Sequence, residues 1–226
     1  MANPIKIGII GDYNYDYNAH QATNIAIDHT VNQLKAKVDY YWIRTQEAAN
    51  FKRSQMKKYD AIWVASGPFE SNFFIQHALQ IIMETQTPVL ITGEAYRFFI
   101  DHIVQQHQLN PQQEKVLSTN LNVEAKFEQI EVKPLSENLK TLYDDEIRTE
   151  FTASRFSIYP HFLALLKDGI IDIEAINQLE DPEIISLKSR NFCVASMSLP
   201  QVSSTREHPH PLITAFFQFI LNVKKK

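Results

Sequence analysis

ALQIIMETQTPVLITGEAYRFF, from Ala78 to Phe99, is the stretch that decides the fold. Phe74, Ala78, Ile81 and Ile82 recur at helical spacing, which predicts a helix over 72–84. Pro88 to Ile91 (PVLI) is a short apolar run, read as a buried strand. Thr92-Gly93 is a turn, and Glu94 to Gln106 returns to helical spacing. Helix, strand, tight turn and helix in this order form part of a parallel sheet covered on both faces.

The same rhythm extends back to the N-terminus. IKIGII, from Ile5 to Ile10, reads as a buried strand ending at Gly11-Asp12. Ala22, Ile25, Ala26, His29 and Leu34 mark a helix over 19–35, and 38–43 alternates as a strand. YDAIWVA, from Tyr59 to Ala65, is another buried strand, closed by Ser66-Gly67-Pro68. Ligands of such sheets sit beyond the carboxyl ends of the strands. Those positions are here Asp12 to Asn14, Ser66 to Phe69 and Thr92 to Glu94.

The second half is less regular. Leu109 to Leu121 reads as a loop, 124–132 and 151–157 as strands, and 161–167 as a short helix. Further strands are predicted over 170–173, 184–187 and 192–197. A final helix is expected to start near His210-Pro211. No repeat or low-complexity linker divides the chain, so 1–226 reads as a single domain.

Composition narrows the function classes. A chain of 226 residues buries roughly 70–75% of its unfolded surface and needs no disulfide or metal staple. A net charge of −4 argues against a general nucleic-acid binder. A lone cysteine, Cys193, excludes an internal disulfide and a cysteine cage, and its apolar setting (FCVA) reads as inert. Gly8-Ile9-Ile10-Gly11 lacks the third glycine of a dinucleotide fingerprint, and no His-Glu-x-x-His occurs. Neither a targeting segment nor a membrane span is read, so the expectation is a cytoplasmic protein with no cofactor and no metal.

Several blocks together resemble the glutamine-hydrolysing domain of CTP synthase, a class I glutamine amidotransferase. IGIIGDYN is similar to its opening strand and turn, and YDAIWVASGPF to its strand and oxyanion loop. ALQIIMETQTPVLITGEAYRFF is similar to the helix, strand and nucleophile elbow. FCVASMSLPQ with HPHPLITAF is similar to the strand carrying the rest of the triad and to the last helix. The flavour is that of stand-alone relatives of the CTP synthase C-terminal region, without the synthetase domain. The resemblance implies an α/β flavodoxin-like three-layer sandwich with a mostly parallel central sheet.

Such a glutaminase attacks an amide with a cysteine thiolate, using a histidine base oriented by an acid. By the resemblance, the cysteine position is Gly93, the histidine position Leu199 and the acid position Gln201. All three roles are thus expected to be empty. Glycine at an elbow also relieves the strain of a positive φ.

The resemblance offers Gly67 as the oxyanion-loop glycine, Glu114 as a reader of an amino group, and Arg155 beside a carboxylate-binding position. Arg97 stands where the family has glutamine. Glu94 reads either as a helix-terminal carboxylate or as a pocket-mouth carboxylate that binds a cation or amine or acts as a base. Ser66 reads as turn chemistry or as a pocket hydroxyl, and Asp12 with His20 as a capping pair or a pocket pair. Tyr13, Tyr15 and Tyr17 are either aromatic cover or a stacking platform.

Three functional expectations follow: an inactive relative binding a small metabolite or a protein partner, a rebuilt enzyme with Glu94 as acid–base group assisted by Ser66 or His20, or a regulatory subunit docking on a synthetase. For the last, Phe69, Phe73 and Phe74 are the expected apolar patch. A homodimer is the base-rate assembly.

Overall fold

The computed structural model of the chain describes residues 4–119 and 127–225. The first half runs β1 (Ile5–Ile10), α1 (Asn18–Leu34), β2 (Val38–Ile43), the one-turn helices α2 (Thr45–Ala48) and α3 (Arg53–Met56), β3 (Ala61–Val64), α4 (Asn72–Met83), β4 (Val89–Thr92) and α5 (Ala95–Gln106). The second half runs β5 (Leu117–Thr119), β6 (Glu128–Pro134), α6 (Glu137–Leu142), β7 (Arg148–Thr152), β8 (Phe156–Ile158), α7 (Pro160–Lys167), β9 (Ile171–Asn177), β10 (Pro182–Leu187), β11 (Cys193–Ser196) and α8 (Pro211–Lys224).

A nine-stranded sheet has the order β2-β1-β3-β4-β11-β10-β9-β6-β7. From β2 to β11 neighbouring strands are parallel; from β11 to β7 they are antiparallel. The parallel half is buried on both faces, which is why its strands read as unbroken apolar runs. Ile62 and Val64 face a core shared with α4 and α5, while Ala61, Trp63 and Ala65 face one shared with α1 and α8. This is the three-layer α/β arrangement expected from the sequence. Trp63 is fully buried, its indole N–H donates to Thr92 Oγ1 at 3.0 Å, and its ring meets Phe216 edge-on. Burying a ring of that size is worth about 4–6 kcal/mol of transfer free energy.

Three local expectations are corrected. The loop expected over 109–121 contains β5, which pairs antiparallel with β8 in a separate two-stranded sheet. The single strand expected over 151–157 is split between β7 and β8. Thr152 Oγ1 donates to the Ser154 carbonyl at 2.7 Å and accepts the Ser154 N–H at 3.3 Å, a local turn that ends β7. The strand expected over 124–132 begins at Glu128 and continues to Pro134; residues 124–126 lie outside the described residues. Among the described residues no helix is long and apolar enough to cross a membrane.

Candidate functional site

The carboxyl ends of β1, β3, β4 and β11 converge on Gly93. This glycine lies in the turn between β4 and α5, with φ +63, and its N–H donates to the Ser196 carbonyl at 2.9 Å. A strand-to-helix reversal this tight needs left-handed backbone, which glycine adopts without steric cost. The space above it is filled. A Cβ at Gly93 would lie 2.6 Å from Ser66 Cβ and 2.8 Å from Leu199 Cδ2.

Two buried side chains hold the Ser66 loop in place. His20 is fully buried; its Nδ1 accepts the Asn14 N–H at 3.0 Å, so Nε2 carries the proton and donates to the Ser66 carbonyl at 2.9 Å. Burial pulls the imidazole below its ordinary value, against the upward pull of the Ser66 carbonyl and Asp12. Asp12 accepts from the Thr45 N–H at 3.0 Å, the Thr45 hydroxyl at 2.8 Å and the Glu70 N–H at 2.9 Å. Both residues are therefore committed to shaping the loop, and neither ring nitrogen of His20 is free for proton transfer. His20→Ala strands the Ser66 carbonyl and the Asn14 N–H and opens a cavity. The expected loss is about 2–4 kcal/mol in urea unfolding. A loss under about 0.5 kcal/mol would contradict the anchoring role.

Glu94 lies over Gly67. A Cβ on Gly67 would fall on the Glu94 carboxylate, so a larger residue there would have to push that side chain aside. The Gly67-Pro68 bond is cis. Glu94 Oε1 pairs with Arg97 Nη2 at 2.8 Å, one helical turn along, and the Arg97 guanidinium lies 4.1 Å over the Phe98 ring. Glu94 thus covers Gly67 with a carboxylate already paired with a cation.

Leu199 is fully buried, its N–H donating to the Phe151 carbonyl at 2.7 Å. Gln201 is 2% exposed, and neither amide atom has a hydrogen-bond partner among the described residues. Cys193 pairs in register with Val89, at the opposite end of β4 from Gly93. Four residues of strand put about 13 Å between that level and the elbow. Burial pushes the Cys193 thiol up to about 12.

Against known proteins, no family model matches the chain. CTP synthase from Onion yellows phytoplasma is 25% identical along the whole chain, which spans 46% of that protein's length. The glutaminase domain of Trypanosoma brucei CTP synthase, solved with bound acivicin, superposes with a TM-score of 0.79 at 15% identity, over 96% of this chain and 94% of that one. The chain has the class I glutamine amidotransferase fold. A protein from Thermoplasma acidophilum, described as part of a GMP synthase, shares it with a TM-score of 0.68 at 12% identity, over 100% and 98% of the two chains. The resemblance read from the sequence blocks is borne out at the level of fold and of relationship to CTP synthase.

Within the amidotransferase fold, Asp12, His20, Ser66, Gly67, Gly93 and Glu94 are brought together around one loop and one turn. No hydrogen bond or ion pair joins Glu114 or Arg155 to them among the described residues. Glu114 is exposed and lies 3.2 Å from His161, while Arg155 Nε lies 3.3 Å from Glu128 Oε2. The expected apolar patch is also reduced. Phe69 packs edge-on against Phe98, Phe74 is half-buried, and only Phe73 is exposed, at 60%. Tyr13 packs against Tyr15, His20 and Trp42, with Tyr17 against His20, so most of these rings cover the His20 anchor.

Beside the elbow helix lies a cleft of about 970 Å³, which the sequence reading missed. Arg97, Asp101, Val104 and Gln105 of α5, with Gln108 just beyond its end, form one wall; residues 110–111, 113–117 and Phe156 form the other. The helical spacing of Arg97, Asp101, Gln105 and Gln108 was the available signal, but a polar helix face ordinarily means solvent. Desolvation raises the Asp101 carboxyl to about 6, against the lowering effect of Arg97.

A second buried polar cluster lies between β7, β10 and α8. His210 caps α8 by accepting the Leu212 N–H at Nδ1, and its Nε2 donates to Glu150 Oε1 at 2.7 Å. Glu150 Oε2 accepts from Ser203 Oγ at 2.6 Å. Burial pushes the Glu150 carboxyl up, but His210, Ser203 and Arg148 together hold it below its ordinary value. This cluster fastens the segment carrying Leu199 and Gln201 to the sheet. Nothing in sequence spacing links residues 60 positions apart.

Proposed function

We propose that this chain uses the amidotransferase fold without glutaminase chemistry and serves as a binding protein for a small metabolite. The observation that carries the reading is the closed elbow. Gly93 offers no nucleophile, and Ser66 and Leu199 occupy the volume that a nucleophile's Cβ and its base would need. Gln201 at the acid position cannot carry the negative charge that would support an imidazolium. Glu94 over Gly67 fills, with the oxygens of an Arg97-paired carboxylate, the place where a glutaminase gathers donors for a developing oxyanion. The acid–base alternative has less support, since Glu94 is paired with Arg97 and both His20 nitrogens are committed. A single buried thiol also suits a reducing, cytoplasmic setting.

The reading requires that no activated thiol exists. Native protein exposed to iodoacetamide at neutral pH is expected to keep its mass. In guanidinium chloride it is expected to gain one alkyl group, on Cys193. Rapid alkylation of the folded protein would overturn the reading, because a buried thiol of high pKa has almost no thiolate to react.

A further inference from the structure

We propose that the cleft between α5 and residues 110–117 binds an organic ammonium, a short aliphatic amine or diamine, with Asp101 as its charge partner. This deepens the binding-protein reading and rests on it.

The assignment follows from which charges in the cleft are already answered. Arg97 is paired with Glu94 at 2.8 Å and stacked on Phe98. Glu114 has His161 at 3.2 Å, and Lys115 is exposed to water. Asp101 lines the same cleft, is partly buried, and has no hydrogen bond or ion pair among the described residues. Partial desolvation of a carboxylate that no protein group donates to is costly, and a ligand that brings N–H groups reduces that cost. Glu114 and Lys115 are exposed to water, so the partly buried Asp101 is the charge that a ligand in the cleft would meet, and its sign selects a cation.

The rest of the lining selects an organic cation over a metal ion. The margins of Val116, Leu117 and Phe156, 7–8% exposed, supply apolar contact for an alkyl chain, and the Gln105 side chain supplies a neutral carbonyl for a spare N–H, the Asn110 amide being already bonded to the Glu114 backbone. Hard metal ions want several oxygen ligands, mostly charged, gathered on one point. The volume of about 970 Å³ is within the range of small-molecule sites and leaves room for a chain of several carbons.

The test is calorimetric titration of the intact chain with butane-1,4-diamine, n-butylamine and butyrate. Saturable binding of one or both amines is expected, with none of butyrate. Asp101→Asn should weaken the amine about ten- to a hundredfold, the value of a hydrogen bond to a charged group. Asp172→Asn, at the exposed partner of Lys188, should leave it unchanged. Amide NMR shifts on amine addition should map to 97–108 and 110–117, a readout independent of any variant's folding. Absence of saturable amine binding, equal binding by Asp101→Asn, or shifts confined to other surfaces would each overturn the proposal. The thiol-labelling result concerns the elbow alone, so failure of the cleft assignment and failure of the inactive-elbow reading appear in different experiments.

Discussion

Gly93→Ala is expected to destabilise the protein by about 2–5 kcal/mol. Left-handed backbone costs a residue with a Cβ about 1–2 kcal/mol, and forcing a methyl group into filled space costs about 1–3 more. The crowding is specific. Leu199 Cδ2 is the end of a flexible side chain and can turn away, but Ser66 Cβ, 2.6 Å from the new methyl, moves only with its backbone. That backbone is held by His20 at the Ser66 carbonyl and, through Glu70, by Asp12. Gly169 is the internal control: its φ is +86, and no atom lies within 4 Å of a Cβ built there. Gly169→Ala should therefore pay only the backbone part, about 1–2 kcal/mol. Urea unfolding of the two variants measures the difference. Equal losses would mean that the elbow is not closed.

The second large effect concerns Glu183, which is 1% exposed and whose Oε1 has no partner among the described residues. Oε2 accepts from Asn177 Nδ2 at 3.3 Å. Burial raises the carboxyl to about 8, despite the lowering effects of Asn177 and Arg155. The folded state therefore keeps a proton that the unfolded chain releases near 4.5. The protonated form's stabilising contribution is fully present below 4.5 and is lost as pH rises to about 8, at up to about 1.4 kcal/mol per pH unit. Glu183→Gln carries no proton to lose. It should match the parent near pH 4.5 and exceed it by about 3–5 kcal/mol at pH 8. Asp101 adds a smaller effect of the same sign below about 6. Glu150, held low, acts in the opposite direction, its contribution being lost as pH falls through its folded value. Urea unfolding at both pH values decides the matter, and parallel pH profiles for parent and variant would contradict it.

The parallel half of the fold was legible because its strands are buried on both faces. IKIGII, AIWV and VLIT have no polar side to confuse the period, and each is closed by a glycine turn or by Ser-Gly-Pro. The antiparallel half was harder. β5 is three residues long and exists through its pairing with β8, a contact no local pattern announces. The break between β7 and β8 is made by a Thr152 hydroxyl, with no glycine or proline to mark it. At the site, the absence of a side chain at Gly93 is plain in the sequence. That Leu199 and Ser66 close over it depends on tertiary packing between segments more than 25 residues apart. Asp101 and Glu183 look like surface carboxylates in one dimension. Their burial comes from the 110–117 wall in one case and from the end of β10 in the other, where the pairing with β9 shifts register.

Ammonia release from L-glutamine by the purified chain is the most direct measurement of the central claim. No release above the buffer rate is expected at any pH at which the protein stays folded, and no change when Ser66 or Glu94 is replaced by alanine. Turnover that saturates with glutamine, and that falls when either residue is replaced, would contradict it.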